Sequence, residues 1–178
     1  LFRVENVTNI LRKLQGRRVP EAVKSVLTSS DRVFEFLEVA EERFLVVTMQ
    51  ALTEVESGQV KSRFGWDEVS HARWDSEAGT LRIVFHEGED LVLTPIEAPK
   101  HNFMDIIREA LSEAQVFVTP LELPSGQRVS AQILRDDNRN LRLHPPIASF
   151  ENPGDQQYLR SIAAEWEQKL GIVLDLED

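Results

Sequence analysis

The feature that most constrains the fold of this chain is a series of short β-type segments between Val33 and Leu93. Each segment is rich in β-branched and aromatic residues, and turn-forming residues separate it from the next. The segments are Val33–Val39, Phe44–Thr48, Ala51–Val55, Val60–Phe64, Glu68–Trp74, Leu81–Phe85 and Leu91–Leu93. About seven short strands with a turn every ~8–12 residues are typical of an antiparallel meander, sandwich or barrel, and not of a parallel sheet.

More specific predictions can be made for the first, second and sixth of these segments. The acidic link Glu41-Glu42 predicts a hairpin between the first two segments, whose composition suits a half-buried pleated surface. In the sixth segment Leu81, Ile83 and Phe85 occupy alternate positions. This alternation predicts a strand with one buried face.

Helical periodicity lies on both sides of the β-type region. The apolar spacing over Val4–Leu14, ended by Gly16, predicts an N-terminal helix, and Pro20 opens a second, short one. A clearer helix follows the strands, with an apolar stripe from Phe103 to Ala114 and Asn102 as a plausible N-cap. This stripe needs a surface to cover, and the open end or seam of the preceding sheet is the nearest candidate.

A second unit begins at Val116. Strands are predicted at Val116–Val118, Val129–Leu134 and Leu141–Leu143, before a helix that Asp155 caps and whose apolar face includes Trp166. Three short strands and one helix bury little surface, so we expect this unit to dock on the first, with Trp166 as its anchor. The predicted organisation is an N-terminal helical segment (1–30), a β core with its helix (31–115) and a small extension (116–178).

The order of strands followed by one amphipathic helix is that of the pleckstrin-homology (PH)-like fold. The stretch Phe64-Gly65-Trp66-Asp67-Glu68-Val69, then Trp74 and the hairpin into Thr80-Leu81-Arg82-Ile83, strengthens the likeness. The chain resembles bacterial PH-like domains, and among them an actinobacterial group in which a small strand-and-helix extension follows the core. The resemblance implies an α+β protein: an antiparallel barrel of about seven strands, capped by a C-terminal helix, plus a three-strand, one-helix extension. It also implies a scaffold that binds ligand, lipid or protein and seldom catalyses.

The first predicted hairpin departs from the relatives that bind phosphoinositides. Those relatives place Lys and Arg in and around this hairpin, because a phosphate cluster needs several cationic donors. Here Glu41 and Glu42 occupy it, with only Arg43 beside them. This charge opposes an inositol phosphate.

Charge is unevenly distributed along the 178 residues, whose formal net charge is -10. Six basic and two acidic residues give residues 1–27 a charge of +4, so the remainder carries -14. Acidic excess repels nucleic acid, and we expect no nucleic-acid partner. The basic segment fits either an acidic surface of this chain or a second copy, or, less favoured, an anionic membrane.

Further exclusions follow from composition. The absence of Cys removes disulfides, thiolate metal sites and cysteine nucleophiles. No apolar run approaches the ~20 residues that span a bilayer, and no signal-peptide core is apparent, so we expect a cytoplasmic protein. Because the chain begins with Leu1 and not Met, we expect further sequence before it.

No group of residues predicts catalysis, a metal or a cofactor. The four histidines are widely separated, without HExxH or HxH spacing, and no GxSxG or phosphate-binding glycine loop is present. Ser70 and His71 are adjacent on a predicted strand, so their side chains should point apart and not hydrogen-bond. The same alternation should put Asp67 and His71 on one face. The run Asp136–Asn140 predicts a plain turn and not a calcium loop.

Two sets of residues are candidates for binding. Trp66 and Trp74 lie eight positions apart, which puts them on one face of a regular strand, in a core, a subunit interface or a ligand pocket. The second set is basic: Arg12, Lys13, Arg17 and Arg18. The sequence favours a non-catalytic cytoplasmic interaction or assembly module, with a protein partner or self-association through strand edges. The alternatives are a peripheral membrane adaptor that uses the basic segment, and a hydrolase whose site is not identified.

Overall fold

Antiparallel strand pairing dominates the structure, a computed structural model that describes residues 18–28 and 31–176. The chain divides into two compact units, of which the first ends at Leu111 and the second begins at Ser112. Antiparallel sheets with few helices confirm the predicted α+β class. The helix predicted over Val4–Leu14 lies outside the described residues.

The first unit contains one short helix, two sheets and most of a longer helix. Its elements are α1 (Glu21–Lys24), β1 (Val33–Ala40), β2 (Arg43–Thr48), β3 (Ala51–Glu56), β4 (Gln59–Gly65), β5 (Val69–Asp75), β6 (Thr80–Phe85), β7 (Leu91–Leu93) and α2 (His101–Ala114), whose last turn belongs to the second unit. The strands lie, to within one residue at either end, where the β-branched and aromatic segments and the turn residues between them predict.

The strands form two open sheets, in the orders β1-β2-β3-β4 and β5-β6-β7. The expectation of one closed hydrogen-bonded wall is therefore wrong for the described residues, since no ladder joins β4 to β5 or β7 to β1. A tight turn separates the sheets: the Glu68 backbone N–H donates to the Gly65 carbonyl at 3.1 Å, and the Glu68 carboxylate accepts from the Gly65 N–H at 2.7 Å. Side chains still connect them, because the rings of Phe64 and Phe85 lie 4.6 Å apart.

Two turns set the register of the first sheet. The predicted hairpin turn at Glu41-Glu42 is present between β1 and β2. Between β3 and β4, Ser57 and Gly58 both have positive φ, at 49° and 70°. Two positive φ values are those of a type I′ turn, whose twist matches that of the flanking strands.

Strands β2 and β3 are buried almost throughout, and β1 at four of its eight positions, where the sequence predicts a half-buried hairpin. The outer face of this sheet is covered by α1 and the residues around it. Val23 of α1 is fully buried and packs with Phe36, Phe44, Val46 and Val55. The composition of β1–β3 could not predict that this outer face is buried, because the residues that cover it belong to α1 and its surroundings, outside the sheet.

The helix α2 buries the predicted apolar stripe, including Phe103, Ile106 and Ile107. Asn102 is not its N-cap, because the helix begins at His101. The Asn102 side-chain amide instead donates to the buried carboxylate of Glu35 on β1, at 3.3 Å. A tertiary hydrogen bond replaces the local cap that the sequence predicts.

The second unit packs one helix against a four-stranded sheet. Its elements are β8 (Gln115–Glu122), β9 (Arg128–Arg135), β10 (Leu141–His144), a 3₁₀ turn (Ile147–Ser149), α3 (Pro153–Leu170) and β11 (Leu174–Asp175). The sheet order is β11-β10-β9-β8, with β11 parallel to β10 and the other pairs antiparallel. The two-residue strand β11 is absent from the sequence prediction.

Two expectations for α3 are corrected. Its N-cap is Asn152, whose side chain accepts from the Gly154 N–H at 2.8 Å, while the Asp155 carboxylate accepts from the Ser125 N–H at 3.0 Å. Trp166 lies in the core of its own unit, with its ring 5.2 Å from that of Phe117. Among the described residues, no helix has the length and apolar character needed to cross a bilayer.

Candidate functional site

The open edge of strand β5 is the strongest candidate for a binding site. The strand is seven residues long and ends the sheet β5-β6-β7, so no described strand pairs with its outer edge. Such an edge presents unpaired backbone N–H and C=O groups, onto which another extended chain can add.

The edges of β1, β4 and β8, the other long strands at the ends of sheets, differ from that of β5. Along β1 the Glu38 carbonyl accepts from the backbone N–H of Ile96 at 3.0 Å. On β4 the cations of Lys61 and Arg63 have carboxylate partners at 3.2 and 3.1 Å. On β8 the edge contains Pro120, which has no N–H to offer an added strand.

A β-bulge at Ser70 changes the geometry of β5. Val69 pairs with Phe85 and His71 with the adjacent Val84, so Ser70 is the extra residue. The bulge brings the Ser70 hydroxyl to 3.3 Å from Nδ1 of His71. The expectation that these side chains cannot hydrogen-bond is therefore wrong, because it assumed a regular strand. For the same reason the predicted alternation from Asp67 to His71 does not hold.

This serine–histidine pair lacks the rest of a catalytic arrangement. Both side chains are exposed, and within the described part of the chain no carboxylate is hydrogen-bonded to His71 to orient its ring. Nucleophilic catalysis needs such an orienting group and donors for the developing oxyanion. The pair alone can form a surface hydrogen bond and supports no reaction.

The two candidate tryptophans have different environments. Trp66 lies in the turn before β5, is 3% exposed and donates from Nε1 to the Thr48 carbonyl at 3.2 Å. Trp74 lies on β5 opposite Leu81, which is fully buried, and is itself half-buried at the open edge. Trp66 is thus a core residue, and Trp74 offers an aromatic surface beside the unpaired backbone. The two do not share one regular strand, so the predicted common face does not form.

The opposite face of β5 carries an exposed arginine, Arg73, and the exposed carboxylate of Asp75. Arg73 lies directly opposite Arg82 on β6 in the strand register, and both side chains are exposed. Arg82 donates to the Asp90 carboxylate at 2.9 Å. Sequence reasoning missed Arg73, and no signal in the sequence could have identified it, because the edge position and the pairing with Arg82 are properties of the folded sheet.

The four basic candidates all belong to the first 18 residues of the chain. Arg12, Lys13 and Arg17 lie outside the described residues, and Arg18 is exposed at the first described position.

Two other titratable side chains, those of Asp136 and His144, are wholly or partly buried in the second unit. In the turn after β9, the buried carboxylate of Asp136 accepts from the backbone and the side-chain amide of Asn140, at 2.7 and 2.9 Å. His144 on β10 is half-buried, and desolvation lowers its pKa. Within the described ranges, no cluster of three or more His, Asp or Glu residues could hold a metal ion.

Comparisons with known proteins assign no family. No protein family matches the sequence, and no curated protein matches it. One solved structure that it resembles is the FERM and C-terminal domain complex of Drosophila Merlin, with a TM-score of 0.35 and 14% sequence identity. That match covers 47% of this chain and 28% of the Merlin chain. A likeness of this size assigns neither fold nor function.

Proposed function

We propose that this chain is a non-catalytic interaction module, built on a PH-like core, that binds an extended segment of a partner protein by strand addition to β5. The sequence resemblance to bacterial PH-like domains supports the core assignment. So does the order of strands in the first unit, four in one antiparallel sheet and three in a second, followed by α2.

The observation that carries the proposal is the combination of an open edge and an aromatic side chain on β5. Main-chain hydrogen bonds to an edge give affinity, and contacts to alternate side chains give specificity. Trp74 supplies the apolar contact, since partly exposed aromatic residues are frequent anchors of protein interfaces. The contrast with β8, where Pro120 removes a donor, favours β5 over the long edge of the second unit.

Hydrogen exchange of backbone amides tests strand addition directly. The probe is an uncharged peptide in which Gln alternates with Val or Ile, compared with the same peptide N-methylated at alternate residues. The unmethylated peptide should slow exchange along Val69–Asp75, because an added strand shields the unpaired amides. The methylated peptide keeps its side chains and loses its donors, so it should give no protection.

A pair of variants tests the aromatic contact. Trp74→Ala should weaken peptide binding by about 1–2 kcal/mol, which is the scale of an interface aromatic residue. Val118→Ala, an exposed position on β8, is the matched control and should bind as the parent does. Protection of β8 in place of β5, or equal protection by the methylated peptide, would refute strand addition at this edge.

A further inference from the structure

We propose that strand β5 selects a partner segment in which carboxylate and apolar residues alternate. The inference rests on the proposed function, strand addition to β5, and specifies the chemistry of the segment that adds. It comes from two properties of the strand: the unbalanced charge of Arg73 and the alternation of its side chains between two faces.

The charge of Arg73 is not compensated within the described residues. Its cross-strand neighbour is Arg82, and like charges directly opposite each other in a sheet are unfavourable. Asp90 forms an ion pair with Arg82 at 2.9 Å, whereas no ion pair joins Arg73 to a described carboxylate. The strand therefore carries an exposed guanidinium at its open edge, where a carboxylate on an added strand would complete the arrangement.

The alternation of β5 determines where that carboxylate must lie. Beyond the bulge, His71, Arg73 and Asp75 point to the outer face of the sheet, and Ala72 and Trp74 point to the face that contains the buried Leu81. The Asp75 carboxylate accepts from the backbone N–H groups of the turn that follows β5. An added strand has the same period of two. Its residue beside Arg73 should be acidic, and those beside Trp74 should be apolar.

The net charge of the chain favours the opposite preference, so the inferred selectivity can be distinguished from a general charge effect. A chain of net charge -10 attracts basic peptides and repels acidic ones at long range. Preference for an acidic segment must therefore come from a local site.

The test compares three eight-residue peptides with the same apolar residues, Val and Ile, and with Glu, Gln or Lys at the alternate positions. Binding to the full chain is measured by fluorescence polarisation, and protection of the β5 amides by hydrogen exchange. The Glu peptide should bind most tightly. Arg73→Gln should weaken its binding about two- to fivefold and Arg73→Glu about tenfold, as expected for one exposed ion pair and for its reversal.

Arg128→Glu is the matched control, because Arg128 is an exposed arginine on β9, in the second unit. It changes the net charge of the chain as much as Arg73→Glu does, and it should leave the order of the three peptides unchanged. Raised salt should reduce the advantage of the Glu peptide over the Gln peptide.

The outcomes separate this inference from the proposed function. If all three peptides protect β5 equally and Arg73→Glu has no effect, strand addition stands and selection of acidic segments is refuted. If the Lys peptide binds best, net charge dominates and the inference is wrong. If no peptide protects β5, both proposals fail. Binding to anionic lipid vesicles that depends on Arg73, without binding of the Glu peptide, would also overturn the inference.

Discussion

Removal of Arg43 should destabilise the first unit far more than removal of an exposed arginine. The carboxylate of Glu54 on β3 is 3% exposed and accepts from Nε of Arg43 at 2.7 Å, and from Nη2 of the same side chain. Without Arg43, a nearly buried carboxylate keeps, among the described cations, only the ammonium of Lys61, 4.0 Å away. An uncompensated buried charge costs about 3–5 kcal/mol, and the remaining lysine lowers the expected cost of Arg43→Ala to about 2–3 kcal/mol.

The control is Arg82→Ala, which breaks the exposed ion pair with Asp90. Such a pair contributes about 0–1 kcal/mol. Urea denaturation monitored by tryptophan fluorescence measures both variants, because Trp66 and Trp74 report on the unit that contains all four charges. A free energy of unfolding for Arg43→Ala no lower than that for Arg82→Ala would refute the reasoning.

A double variant separates loss of the ion pair from loss of packing. Arg43→Met with Glu54→Leu replaces both charges by apolar groups of similar size. Replacing a buried pair in this way is often neutral or stabilising, so the double variant should recover most of the stability lost in Arg43→Ala. Failure to recover would mean that the pair holds the strand ends together by its geometry and not only by charge balance.

Three further predictions concern stability and association. Burial raises the pKa of Asp31, but hydrogen bonds from Thr28 and the charge of Arg63 outweigh it and leave this pKa below its usual range. The ionised carboxylate therefore stabilises the fold above about pH 4. This contribution is lost as the pH falls through the lowered pKa of Asp31. In urea titrations, Asp31→Asn should therefore lose less stability in acid than the parent does. Thr53→Val should raise the free energy of unfolding by about 1 kcal/mol in the same titration, because the buried hydroxyl of Thr53 has no hydrogen-bond partner in the part of the chain that the structure describes. Pro120→Thr should increase self-association in light scattering, because it restores a backbone donor to the open edge of β8.

Each of these predictions has a clear contradicting result. Equal acid sensitivity of Asp31→Asn and the parent would mean that this carboxylate is not a source of pH dependence. A less stable Thr53→Val would mean that the hydroxyl has a partner in solution. A monomeric Pro120→Thr would mean that another feature of β8 prevents pairing.

Local pattern was sufficient to place the strands of the first unit and the apolar stripe of α2, because each depends on residues close together in sequence. It failed where a distant segment decides the outcome. The burial of both faces of β2 depends on α1, and Asn102 bonds to Glu35, which is 67 positions earlier. The strand β11 is two residues long, too short for alternation to be detected.

The candidate site was predictable only in part. Trp74 was singled out from sequence, whereas Arg73 was not, because its significance depends on which strand ends the sheet and which residue it faces. The bulge at Ser70 also escaped prediction. An extra residue in one strand is a property of the pair, and no single segment of sequence contains it.

The double-sided burial of β2 and β3 has a consequence for how the first unit opens. Neither strand has a solvent side, so their amides should be among the slowest to exchange and their side chains among the least tolerant of substitution. The β5 edge belongs to the other sheet, at its margin. A partner could therefore attach to and leave this margin while the centre of the unit stays closed.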